Sequence, residues 1–167
     1  MKFENPLRSF AFFHEILEGK LFLGAMPTNA AEMQMLLSTG IDSILTVQEE
    51  YEYGESLPSM ERFLWRRLPI RDWNLGGLPT IDQLETGANL LHDWIDENDR
   101  IVYVHCFAGM GRSPLVCLAY LTKWMEMSLE EGLRFLRARR PQASPTLQQL
   151  EVLREMLGRK NVNGSPR

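Results

Sequence analysis

In the stretch "VYVHCFAGMGRSP" (residues 102–114), Cys106 and Arg112 stand five residues apart, and two of the five are glycines. An apolar run ends at the cysteine, and an apolar helix pattern begins after the arginine. Backbone N–H groups in a short loop ahead of a helix N-terminus can converge on an anion, and the helix dipole adds to them. Gly109 and Gly111 give the backbone the freedom such a ring needs. Arg112 can close the ring and fork two oxygens of a phosphate. The loop from Phe107 through Ala108, Gly109, Met110 and Gly111 to Arg112 is therefore expected to be a phosphate cradle with a sulfur at its base.

The same field acts on a thiol. Cysteines at helix N-termini beside cations titrate at roughly 3.5–7.5 instead of about 8.5. Cys106 is accordingly the expected nucleophile, attacking phosphorus to give a phosphocysteine that water then hydrolyses. Ser113 is placed to donate a hydrogen bond to the sulfur as it leaves. His105 is expected to orient the loop rather than to attack. The leaving oxygen needs a proton donor. Asp72 in "PIRDWNLGG" fits that role and equally fits an ordinary turn or cap aspartate. The other cysteine, Cys117, lies inside the apolar "PLVCLAY" and reads as core, with a protective disulfide to Cys106 as the alternative.

These residues need a scaffold. "KLFLGAMPT", "IDSILTV", "RFLWRRLPI" and "IVYVHC" read as strands, the last as a buried parallel one. Helices are expected over "NAAEMQMLLSTG", with Asn29 as N-cap and Glu32 at the capping-box position, and over "TIDQLETGANLLHDWIDEND", with Thr80 and Gln83. Three more cover "RSPLVCLAYLTKWMEM", "SLEEGLRFLRARR" and "TLQQLEVLREMLG". Alternating strands and helices predict a three-layer α/β/α domain with a mostly parallel sheet, and ligands in such sheets sit beyond the carboxyl ends of the strands. The 167 residues suit one domain, read as residues 1–160 with 161–167 as a frayed tail.

A net charge of −4 and a pI near 5.4 argue against nucleic acid as a partner. Scattered histidines give no zinc spacing, so metal-independent chemistry without a cofactor is expected. The opening "MKFENPLRSFAFFHEILEGK" has neither the apolar core of a signal peptide nor the length of a membrane span. With two cysteines only, a reducing, cytoplasmic location and a monomer are expected.

"HCFAGMGRS" resembles the H-C-x5-R-[ST] signature of the cysteine-dependent protein tyrosine phosphatase superfamily, in its compact dual-specificity branch, over roughly residues 20–155. The resemblance implies the dual-specificity phosphatase fold, with Cys106 as nucleophile, Arg112 on phosphate and Ser113 assisting breakdown. An acid upstream of the cysteine is the order of that branch, which favours Asp72. "VQEEYE" and "GGLPTIDQLETG" resemble phospholipid phosphatases, although that branch usually carries basic residues in the loop where Phe107, Met110 and Gly111 stand here. "CFAGMGR" resembles the glucan phosphatases. Phosphoproteins, lipid phosphates, inositol phosphates and phosphoglucans are thus all candidate substrates.

Trp73 and Phe107 form a stacking wall or pack against loop neighbours; Glu49, Glu50 and Tyr51 rim the site or form a solvated turn. A binding-only pseudophosphatase would be expected to have lost the cysteine, the arginine or the acid, and all three are present. A rhodanese-like sulfur transferase or arsenate reductase also uses a loop cysteine, but Asp72 and Ser113 argue against it.

Overall fold

The computed structural model describes residues 12–163. Five strands form one sheet in the order β1-β2-β5-β3-β4: β1 Phe13–Leu17, β2 Leu21–Gly24, β3 Ser43–Thr46, β4 Leu64–Arg67 and β5 Val102–His105. All neighbouring pairs are parallel except β1 with β2. Strand β1, unforeseen in the sequence, is joined to β2 by a tight turn with Gly19 at φ 63. Its FHEIL pattern is only partly buried at the sheet edge, so it lacks the continuous apolar run of β5.

Alternation of side chains splits the core in two. Phe22, Ile44 and Tyr103 face α1 (Ala30–Ser38), with Met33 and Leu36. Leu21, Leu23, Leu45, Val102 and Val104 face the other layer, where Leu84, Leu115, Leu118, Leu136 and Leu153 pack. That layer comprises α2 (Ile81–His92), continued by a π turn over Asp93–Glu97, α3 (Arg112–Trp124), α4 (Leu129–Arg139) and α5 (Leu147–Asn163). The architecture is three layers, α/β/α, around a mostly parallel sheet.

Local signals set the helix ends. Thr80 with Gln83 and Ser128 with Glu131 form reciprocal capping boxes. Asn29 caps α1 through the Glu32 amide, but the Glu32 carboxylate bonds Thr28 instead of returning to the cap. Helix α3 stops at Trp124, short of the Met127 read from sequence, because Glu126 turns left-handed at φ 59. Helix α5 begins with the Thr146 and Gln149 bonds and runs to Asn163, into the stretch read as a tail; residues 164–167 lie outside those described. Among the described residues no helix is long and apolar enough to cross a membrane.

Register positions the site. Gly24, His105, Thr46 and Arg67 form one row across β2, β5, β3 and β4. The segments that follow them leave the sheet at the same edge, and Cys106 is the first residue beyond β5.

Candidate active site

The loop after β5 is built by its carbonyls. Cys106 O accepts from His105 Nδ1 at 3.1 Å, Phe107 O from Met26 N at 3.1 Å and Met110 O from Ser144 N at 2.7 Å. Arg140 donates to Gly109 O at 2.7 Å and Ala108 O at 3.3 Å, and Leu115 N donates to Gly111 O at 3.0 Å. Six consecutive carbonyls are thus held by groups outside the loop. In a trans peptide the next N–H points opposite to the C=O, and no peptide among the described residues is cis. The amides of residues 107–112 therefore point away from these anchors. Gly109 is required here: its φ is 67, and a Cβ would stand 2.3 Å from Gly24 O.

Cys106 lies at the base of this ring, 3% exposed, and Ser113 Oγ donates to its sulfur at 3.2 Å. Both cysteines are free thiols. Cys117 is fully buried in α3 among core side chains, and that burial pushes its thiol up.

His105 is fully buried, and donor counting fixes its tautomer. Trp65 Nε1 can only donate, and it does so to Thr46 Oγ1 at 2.9 Å. The Cys106 carbonyl can only accept, so the neutral ring carries its proton on Nδ1, and Nε2 accepts from the Thr46 hydroxyl at 2.8 Å. Burial, with the charges of Arg67 and Arg112, lowers the His105 pKa to about 4 despite the bond to Cys106. The ring is neutral at physiological pH, with its Nδ1 bonded to the first carbonyl of the loop.

Arg112 is the first residue of α3 and 3% exposed. Nη1 donates to Glu52 Oε2 at 2.6 Å and Ile70 O at 2.8 Å; Nη2 donates to Glu52 Oε1 at 2.5 Å and Asp72 Oδ2 at 2.6 Å. Four of its five N–H donors are engaged. Burial alone would lower the guanidinium pKa; the Glu52 bonds and the negative potential of Cys106 and Asp72 leave it raised.

Asp72 caps a 3₁₀ turn, Trp73–Leu75, its Oδ1 accepting from Asn74 N at 2.8 Å and its carbonyl accepting from Leu75 N and Gly77 N. The sequence-derived group forms two bonded pairs, Ser113 with the Cys106 sulfur and Arg112 with Asp72, and His105 is bonded to the Cys106 carbonyl.

Glu52 escaped the sequence reading, which selected its neighbours. Glu49, Glu50 and Tyr51 line a cleft of about 620 Å³ between their loop and β4, with Phe63, Trp65 and Arg67. Glu52 instead turns inward, its side chain fully buried on Arg112, between Tyr51 (φ 54) and Tyr53 (φ 55), both left-handed. In "EEYE" nothing but the fold distinguishes the inward glutamate. Arg140 was also missed, since an arginine in the last turn of a helix ordinarily reads as a dipole partner. Trp73 is exposed, and Phe107 packs on Tyr53, ring centroids 4.8 Å apart. Among the described residues no cluster of His, Cys, Asp and Glu could hold a metal ion.

A model of the dual specificity phosphatase catalytic domain matches residues 21–158. The human protein named phosphatidylglycerophosphatase and protein-tyrosine phosphatase 1 is 29% identical over 155 residues, covering 90% of this chain and 76% of its own. Human dual specificity protein phosphatase 2 is 31% identical over 126 residues, 75% of this chain and 37% of its own. Among solved structures, PTPMT1 in complex with PI(5)P superimposes with a TM-score of 0.78 at 25% identity, over 93% of this chain and 100% of that one. A loop with anchored carbonyls that begins at a buried cysteine, on a scaffold matched along most of its length, leaves one assignment: this chain belongs to the dual specificity phosphatase family and is a phosphatase of the protein-tyrosine/dual-specificity type.

Proposed function

We propose that this phosphatase hydrolyses phosphomonoesters through a phosphocysteine. The observation that carries the reading is the outward anchoring of all six loop carbonyls above a buried sulfur. The Cys106 thiolate attacks phosphorus while the amides of residues 107–112 and Arg112 hold the three equatorial oxygens. An S–P bond forms, the P–O bond to the leaving group breaks, and Asp72 gives that oxygen its proton. In the second step water attacks phosphorus, the Asp72 carboxylate takes the water's proton, and sulfur departs with its electron pair. Ser113 donates to that departing sulfur. Cys106, Arg112 and an acid bonded to Arg112 are all present, which favours turnover over a binding-only role.

The substrate this site favours is a phosphomonoester with a non-protein, lipid-like body. Exposed apolar side chains collect on the loops bearing the site: Tyr51, Tyr53, Trp73, Leu75, Phe107 and Met110. They offer apolar surface to the body of a lipid. Glu49 and Glu50 nearby disfavour acidic peptide flanks. The relative carrying phosphatidylglycerophosphatase in its name supports the same choice.

The test compares kcat/KM for phosphatidylglycerophosphate, inositol phosphates, phosphoglucan and phosphopeptides at one pH and salt. Cys106→Ser serves as control and should abolish turnover while phosphate still binds. A phosphotyrosine peptide leading by tenfold, about 1.4 kcal/mol in the transition state, would overturn the lipid reading.

A further inference from the structure

Donor counting at Arg112 exposes a conflict. Glu52, its side chain fully buried, takes one hydrogen from each terminal nitrogen, and its Oε2 also accepts from Glu49 N. Nη1 gives its second hydrogen to the Ile70 carbonyl. Nη2 gives its second to Asp72. A phosphate that forks Arg112 through Nε and Nη2 must therefore take the N–H that Asp72 now holds. The displaced carboxyl keeps its bond from Asn74 N through Oδ1 and needs a new partner for Oδ2.

Tyr53 is a candidate for that partner, and two geometric features hold it in place. Burial raises its hydroxyl's pKa, and the charge of Asp72 raises it further. Its ring rests on Phe107, the residue directly after Cys106. Its backbone is held left-handed, at φ 55 and ψ 22, next to the Glu52 that grips Arg112. A non-glycine residue in that region is strained and persists where surrounding contacts impose it.

We propose that Tyr53 is a positioning residue for Asp72: its hydroxyl receives the carboxyl that phosphate displaces from Arg112 and holds it at the cradle rim, with the ring braced on Phe107. A phenol both donates and accepts. Its O–H can therefore donate to a lone pair of Oδ2 in the protonated acid, leaving the acid's own proton for the leaving oxygen, and to the carboxylate that serves the second step. The inference rests on the phosphocysteine reading and adds to it the element that steers the acid.

The experiment is Tyr53→Phe on two substrates in the full chain. An alkyl phosphate needs a protonated leaving group, whereas p-nitrophenyl phosphate hardly does. Loss of one hydrogen bond to a charged group should lower kcat on the alkyl phosphate about tenfold. KM should stay within about twofold, and p-nitrophenyl phosphate turnover should be nearly unchanged. Added to Asp72→Asn, the substitution should cost little more, since both act through one group. Tyr53→Leu, which removes ring and hydroxyl, should show the same alkyl-specific loss. Equal losses on both substrates, unchanged alkyl turnover, or losses that simply add in the double variant would overturn the proposal alone. Activity surviving in Cys106→Ser would overturn the phosphocysteine reading and this proposal with it.

Discussion

Glu52 binds Arg112 through both carboxylate oxygens, at 2.5 and 2.6 Å, across sixty residues of sequence. Both side chains are buried, so the pair is a fixed feature of the site and not a surface ion pair. Removing one member strands the other charge. Glu52→Ala should cost about 3–5 kcal/mol of stability, read from urea unfolding, and should lower kcat/KM as the guanidinium loses its orientation. Glu52→Gln keeps the shape and one acceptor and should fall between Ala and wild type on both measurements.

Ser113 makes a prediction about timing. Its hydrogen bond to the Cys106 sulfur should count most when that sulfur leaves. Ser113→Ala should release the first equivalent of p-nitrophenolate at nearly the wild-type rate and then turn over about 10–100-fold more slowly. Rapid mixing would show this as a burst, and a variant slowed equally in both phases would contradict the role.

His105 governs stability on the acid side. Its pKa is about 4 in the folded protein against 6.5 for a free imidazole. Between those values the unfolded chain binds a proton that the folded chain refuses, so stability falls as pH drops from 6.5 to 4 and loses nothing more from this group below that. Each pH unit of the window is worth about 1.4 kcal/mol, giving on the order of 3 kcal/mol in all. His105→Asn should start from a lower stability at pH 7 and flatten the dependence across this window, as urea midpoints at successive pH values would show.

Gly109 tests the cradle directly. An alanine there meets both a left-handed backbone and the Gly24 carbonyl. Gly109→Ala should destabilise the protein by about 1–3 kcal/mol or more and weaken inorganic phosphate binding, measured by calorimetry. Gly19→Ala, where a Cβ would meet nothing within 4 Å, serves as the control for backbone strain alone.

Much of this site could be read locally, because a cradle is a local object. Cys106, Arg112 and Ser113 lie within eight consecutive residues, and the strand before and the helix after them have strong apolar patterns. Asp72 was legible only through chain order, since its pairing with Arg112 spans forty residues. Glu52, Tyr53 and Arg140 were not legible. What singles them out is long-range, and their sequence neighbours are chemically alike: Glu49 and Glu50 beside Glu52, Tyr51 beside Tyr53, Arg139 beside Arg140. Strand β1 failed for a different reason: it lies at the sheet edge, with Ile16 alone fully buried and Glu15 exposed, and so has too little apolar periodicity to separate it from loop.

The anchoring of the phosphate loop has a consequence for synthesis. The carbonyls of Ala108, Gly109 and Met110 are held by Arg140 and Ser144, more than thirty residues further along the chain. A ribosome that has released Cys106, Arg112, Asp72 and Ser113 has made every reacting group, yet half of the ring still lacks its anchors. Catalytic competence must therefore arrive late, when the segment after α4 emerges and docks. A nascent chain stopped at residue 139 should carry a complete set of reacting side chains and an unformed oxyanion ring.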